Sequence, residues 1–154
     1  MVIATRCELE APIDKAWAYM LDVEKVAHCV PGATLTQVID DHTFEGKIGV
    51  KVGAIEVAYK GRVTLEDIDE ETHSVKLKAQ GAETRGRGGA SATTTAELTA
   101  NGSGTSIVMN TEMSVSGIVA QFGRSSIMQE IAQRLAQRFA TCINAELKAA
   151  AAAT

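Results

Sequence analysis

The chain is short of the residues that usually announce chemistry. It has three histidines, three cysteines, two prolines, one tryptophan, two tyrosines and three phenylalanines in 154 residues. The histidines do not converge: His42 and His73 fall in turn-like stretches, and His28 precedes Cys29-Val30-Pro31-Gly32, where it would flank the mouth of any cavity. No cluster supplies three or four metal ligands at usable spacing, so no metal and no covalent cofactor is expected. Cys7, Cys29 and Cys142 are odd in number and form no CxxC. They are expected to be reduced thiols in a cytoplasmic protein, with Cys7 and Cys142 acting as small hydrophobes. No serine or cysteine has an evident neighbouring base, so a nucleophilic mechanism lacks its parts. The net charge of −4 argues against a nucleic-acid footprint. No basic stretch leads into an apolar one at the start, and no apolar run approaches the ~20 residues of a membrane span.

What the chain does have is periodicity. Ile127, Ile131, Leu135, Phe139, Ile143 and Leu147 recur every four residues, with Met128 and Cys142 beside the row. Gln129, Glu130, Gln133, Arg134, Gln137, Arg138 and Glu146 fill the other face. That is the stripe of a long amphipathic helix. About 25 residues from Ser125 would reach roughly 37 Å, approached through the Val115–Arg124 stretch. Gly117 and Gly123 weaken helix there, so a break is expected near Gly123.

The rest alternates. Ile3, Thr5, Cys7 and Leu9 share one face of a first strand. Pro12 suits a first helical turn, and Ile13, Ala16, Trp17, Met20 and Leu21 then fall on one helical face. A second short helix covers 23–29 and stops at Pro31-Gly32. Strands follow over 35–39, 44–52, 55–65, 75–81, 90–98 and 107–115. The turns between them include Gly53-Ala54 and Asn101-Gly102-Ser103-Gly104. The pattern lapses over 82–89. The expected fold is α+β: a curved antiparallel sheet of about seven strands wrapped around the long C-terminal helix, with two short helices after strand 1. It forms a single domain over 1–149, followed by an alanine-rich tail, 150–154. That tail reads as a frayed end or as the start of a linker or anchor that has been removed.

Alternation on every strand leaves one wet face. On the inward faces Gly46, Gly61 and Gly81 would permit bending, and Ala79, Ala90, Ala92 and Ala96 leave space. A helix held above small inward residues implies an apolar cavity, or lets the helix pack closer. The expected lining is Phe44, Ile48, Val50, Val57, Tyr59, Val63, Leu77, Met109, Met113, Phe122, Ile127, Ile131 and Leu135. Tyr59 is the candidate to hydrogen-bond a ligand carbonyl. Ile118, Val119 and Phe122 would form a flap over one end. Arg85 and Arg87, among the glycines of Thr84-Arg85-Gly86-Arg87-Gly88-Gly89, are candidates with Arg124 for contact with a partner or with anionic headgroups.

Several stretches together resemble the CoxG family, named for the G subunit of carbon monoxide dehydrogenase, within the START/polyketide cyclase/Bet v helix-grip (SRPBCC) superfamily. They are Cys29-Val30-Pro31-Gly32-Ala33, Gly49-Val50-Lys51-Val52-Gly53-Ala54-Ile55, Tyr59-Lys60-Gly61, Gly81 through Gly88, and Val115 through Arg124. The resemblance implies an accessory protein of a molybdenum-containing carbon monoxide dehydrogenase or related hydroxylase, concerned with membrane recruitment. It implies a place in the cytoplasm, at the inner face of the cytoplasmic membrane. An apolar pocket in that setting would hold a lipid or an isoprenoid quinone, menaquinone or ubiquinone, for delivery. The alternatives are a docking or assembly protein without a ligand, and a cyclase- or hydrolase-type enzyme, which would need an inward histidine or carboxylate pair.

Overall fold

The computed structural model describes residues 1–122 and 126–152. Strand β1 (Val2–Leu9) leads into helices α1 (Ile13–Leu21) and α2 (Val23–Cys29). Six strands follow: β2 (Ala33–Asp40), β3 (Thr43–Val52), β4 (Ile55–Asp69), β5 (Ser74–Glu83), β6 (Gly89–Asn101) and β7 (Gly104–Val115). A 3₁₀ segment over Gly117–Phe122 precedes helix α3 (Ile127–Ala152). The seven strands make one antiparallel sheet in the order β1-β7-β6-β5-β4-β3-β2, the α+β arrangement expected from the alternation.

Some boundaries differ. Pro12 is the residue before α1 rather than its first turn. β4 continues to Asp69 through an irregularity after Glu66, where Asp67 takes φ 48°. β5 runs to Glu83 and β6 starts at Gly89, so the lapse over 82–89 shrinks to a short loop. The chain does not pass from β7 straight into helix: the 3₁₀ segment intervenes. The expected break at Gly123, and Arg124, lie outside the described residues.

Sheet curvature has a visible cause. Gly46 lies opposite Gly61, and Gly61 opposite Gly81, in one line across β3, β4 and β5. A Cβ on Gly61 would sit 1.9 Å from the Gln80 carbonyl oxygen. Neighbouring strands come closer here than any side chain permits, which lets the sheet bend around α3.

Helix α3 packs as the stripe requires, but its buried face is broader. Ala136, Phe139, Ala140 and Ile143 are buried, so alanines share the contact. Its main backbone approaches are to β1 and α2. Gln129 and Gln133, expected on the solvent side, turn instead to the free edge of β1. Gln129 accepts from Ala4 N and donates to Ala4 O at 2.5 Å. Gln133 does the same with Arg6 N and O, at 3.3 and 2.9 Å. Asn144 accepts from Glu10 N and donates to Glu8 O. Four helical residues advance ~6 Å and two strand residues ~6.7 Å, so amides spaced i, i+4 can follow alternate strand residues. The side chains cover an edge that would otherwise offer unpaired N–H and C=O groups. Gln133→Ala is expected to cost about 1 kcal/mol in urea unfolding. An unchanged midpoint and slope would show the ladder to be ornamental.

The cysteine expectation is corrected. Cys29, at the end of α2, and Cys142, on α3, form a disulfide with their Cα atoms 5.4 Å apart. It closes a separation of 113 residues, a contact that spacing in the sequence cannot reveal. Only Cys7 is a free thiol; it is buried, and burial pushes its pKa up to about 11.

Candidate functional site

Two packed clusters lie between the sheet and its helices. The larger gathers Trp17, Tyr19, Leu98, Ile107, Phe139 and Ile143 beneath α1, α2 and the later part of α3. Trp17 is anchored by its indole N–H to Glu70, at 2.5 Å, and meets His73 edge to face. The smaller holds Val52, Val57 and Val119, with Val50, Ile55, Tyr59, Ile118, Phe122, Met128 and Ile131 against it. Among the expected cavity residues, Phe44 is buried in the first cluster, with Leu77 and Met109 partly buried against it. Val57, Val50, Tyr59, Phe122 and Ile131 belong to the second. Ile48, Val63, Met113, Ile127 and Leu135 belong to neither and stay half-exposed. These five keep apolar surface open to solvent.

Tyr59 lies opposite Ile48 across the β3–β4 ladder. It is half-buried, and its hydroxyl makes no hydrogen bond among the described residues. Burial raises its pKa, with the neighbouring Glu83 charge adding to the effect; the phenol stays a protonated donor at neutral pH. The inward threonines Thr94 and Thr111 bond each other at 2.8 Å.

The loop after β5 is more than a solvated hairpin. Glu83 extends the inward row of β5, directly opposite Tyr59, and its side chain is 1% exposed. It accepts from Ala58 N (3.1 Å), Arg85 N (2.8 Å), Arg87 Nε (3.1 Å) and Arg87 Nη2 (3.3 Å). These donors, the Arg87 guanidinium foremost, hold the carboxyl at about 2. Arg87 Nη2 also donates to Glu56 O at 2.6 Å. Arg87 O in turn accepts from Ile118 N at 3.0 Å, and Gly89 O from Ser116 N at 2.9 Å. The arginine loop and the 3₁₀ segment are thus one latched unit. Gly117 completes it with φ 78° and no room for a Cβ against Arg87 O. Arg87 is consequently occupied within the fold, while Arg85 remains exposed. Glu83 is an inward carboxylate that the sequence did not make evident. Alternation pointed to it, but the surrounding glycines hid the continuation of the strand. Held ionised by its donors, it is not a proton donor at neutral pH.

Two open grooves, of about 860 and 490 Å³, lie on the other face of the sheet, along Lys60, Arg62, Gln80 and Ser91 and along Lys78, Thr93 and Glu112. On the rim of the larger groove Arg62 is paired to Glu45. Among the described residues no helix is long and apolar enough to cross a membrane.

A curved seven-stranded sheet closed by a long C-terminal helix, with two short helices after the first strand, defines a protein of the helix-grip class. Solved structures agree. A conserved protein from Geobacillus kaustophilus superposes with TM-score 0.82 at 21% identity, covering 96% of this chain and 95% of that one. The Zhui aromatase/cyclase from Streptomyces sp. R1128 gives 0.64 at 12%, covering 96% and 93%. Ara h 8.0201 gives 0.66 at 13%, covering 97% and 98%. At these identities the likeness concerns the fold. No curated protein matches the sequence. The family model for CoxG, the G subunit of carbon monoxide dehydrogenase, matches residues 6–148, and the chain belongs to that family.

Proposed function

We propose that this chain is a non-enzymatic carrier for an apolar ligand, an isoprenoid quinone or another lipid. In this reading it serves a molybdenum-containing carbon monoxide dehydrogenase-type enzyme by membrane recruitment or quinone delivery, working at the inner face of the cytoplasmic membrane. The observation that carries the reading is the Tyr59 hydroxyl, without a hydrogen-bond partner among the described residues, opposite half-exposed Ile48, with Val63, Met113 and Leu135 also half-exposed. A ligand with a carbonyl head and an apolar tail answers both features. The phenol donates to the carbonyl, and tail burial contributes roughly 25 cal/mol per Å². Membership of the CoxG family supports the choice of enzyme. Arg85, exposed near the latched end, would meet an anionic partner surface or headgroup.

The test is native mass spectrometry of purified protein with identification of extracted lipid, followed by menaquinone and ubiquinone titrations read by Trp17 fluorescence. A co-purifying quinone or lipid near one per chain, or saturable quenching, is expected. Tyr59→Phe should weaken quinone binding about tenfold, the value of one hydrogen bond, without lowering Tm. Absence of any bound species together with absence of quenching would overturn the carrier reading and leave a docking protein.

A further inference from the structure

We propose that Cys29, Cys142, Glu146 and His28 form, once the disulfide is opened, a site for a zinc-class divalent cation that ties α2 to α3. The two sulfurs and a carboxylate oxygen of Glu146 lie within 4.8 Å of one another. His28 is not within that group, but its Nε2 stands 3.4 Å from Glu146 Oε1, so a turn of the exposed imidazole can bring a fourth donor. Cys142 and Glu146 are i, i+4 on α3 and therefore share a helix face; His28 and Cys29 end α2. With metal–ligand bonds of ~2.0–2.3 Å, donors around tetrahedral zinc sit roughly 3.3–3.8 Å apart. Opening the bond lets the sulfurs separate to that spacing while the carboxylate and imidazole close in, and both Glu146 and His28 are exposed and can turn.

The surroundings suit a thiolate site. Tyr19 Oη, which donates to Lys25 O at 3.3 Å, lies 3.6 Å from Cys29 Sγ and can turn its hydrogen to a thiolate there. Cys29 is buried and Cys142 half-buried, while the carboxylate and imidazole face solvent, so an ion enters from outside onto sulfur. Two thiolates, an imidazole and a carboxylate favour zinc over the hard cations magnesium and calcium. The same sulfurs serve either the S–S bond or the metal. Opening the bond takes two electrons and two protons: a dithiol supplies both and closes to its own disulfide, whereas a phosphine supplies the electrons, water supplies the protons and an oxygen, and the phosphine becomes its oxide. Metal binding then releases the two thiol protons. The site belongs to the larger cluster, away from Tyr59, and stands independently of the carrier reading.

The experiment is anaerobic cobalt and zinc titration of the whole protein, reduced with a phosphine, alongside the disulfide form. The reduced protein should take up about one cobalt ion with thiolate-to-cobalt charge-transfer absorption and tetrahedral visible bands. Zinc should displace it, and the disulfide form should bind none. Glu146→Gln, on the surface, should weaken zinc binding tenfold or more. Cys142→Ser should lose the charge-transfer band; reduced wild-type protein, equally uncrosslinked, is its folding reference by circular dichroism. No sulfur-to-cobalt band in reduced wild-type protein would overturn the proposal. So would equal uptake by the disulfide form, or wild-type affinity in both Glu146→Gln and His28→Ala.

Discussion

Glu83→Ala is expected to lower Tm by on the order of 10 °C at pH 7 and to release the 3₁₀ segment. The substitution removes the acceptor of Ala58 N, Arg85 N and the Arg87 guanidinium at once. It leaves Arg87 partly buried without its counterion, and an uncompensated buried charge is costlier than the pair that held it. Because Arg87 O anchors Ile118 N, amide exchange at Ile118 should accelerate along with the loss of stability. The pH dependence follows from the same group. Its folded pKa of about 2 lies below the ordinary 4.5, so its contribution is fully present above pH 4.5 and fades as pH falls toward 2. The difference between wild type and variant should therefore shrink across that window. Urea unfolding at several pH values measures it. A variant as stable as wild type at pH 7, with unchanged exchange at Ile118, would refute the latch.

The second large effect concerns curvature. Gly61→Ala places a Cβ 1.9 Å from a backbone carbonyl oxygen that has no soft side chain to yield. The strands must separate, at a cost of about 3 kcal/mol. Gly49→Ala is the control: it lies on the neighbouring strand with nothing within 4 Å of its would-be Cβ. It should stay within roughly 0.5 kcal/mol of wild type. If the two variants are equally tolerated, the glycine line is not what bends the sheet. If Gly61→Ala also loses quinone quenching while Gly49→Ala keeps it, curvature and binding are linked through the space under α3.

Both effects involve residues that the sequence marked unequally. Gly46, Gly61 and Gly81 stood out on the inward rows, because a strand with period two makes any small inward residue conspicuous. Glu83 obeyed the same alternation but sat at the head of a glycine-rich run that reads as loop. Its role depends on Arg87 four residues on and on Ala58 across the sheet. Tyr59 was legible as an inward phenol, whereas the lack of a partner for its hydroxyl among the described residues is a property of the surrounding packing.

By itself the sequence determined the seven strands, the two short helices, the long amphipathic helix and their order. Those follow from local periodicity and turn residues, which act over a few positions and need no partner. The stretches that resemble the CoxG family were likewise carried by residues in series. Tertiary structure alone decided the Cys29–Cys142 bond, the amide ladder from Gln129, Gln133 and Asn144 to β1, and the union of the arginine loop with the 3₁₀ segment. Each joins groups distant in the chain or on different elements, and each satisfies a demand that exists only after folding: an open strand edge, a buried charge, two thiols brought within reach. A glutamine at 133 or a glutamate at 83 looks like a solvated residue until the backbone that needs it has been placed beside it.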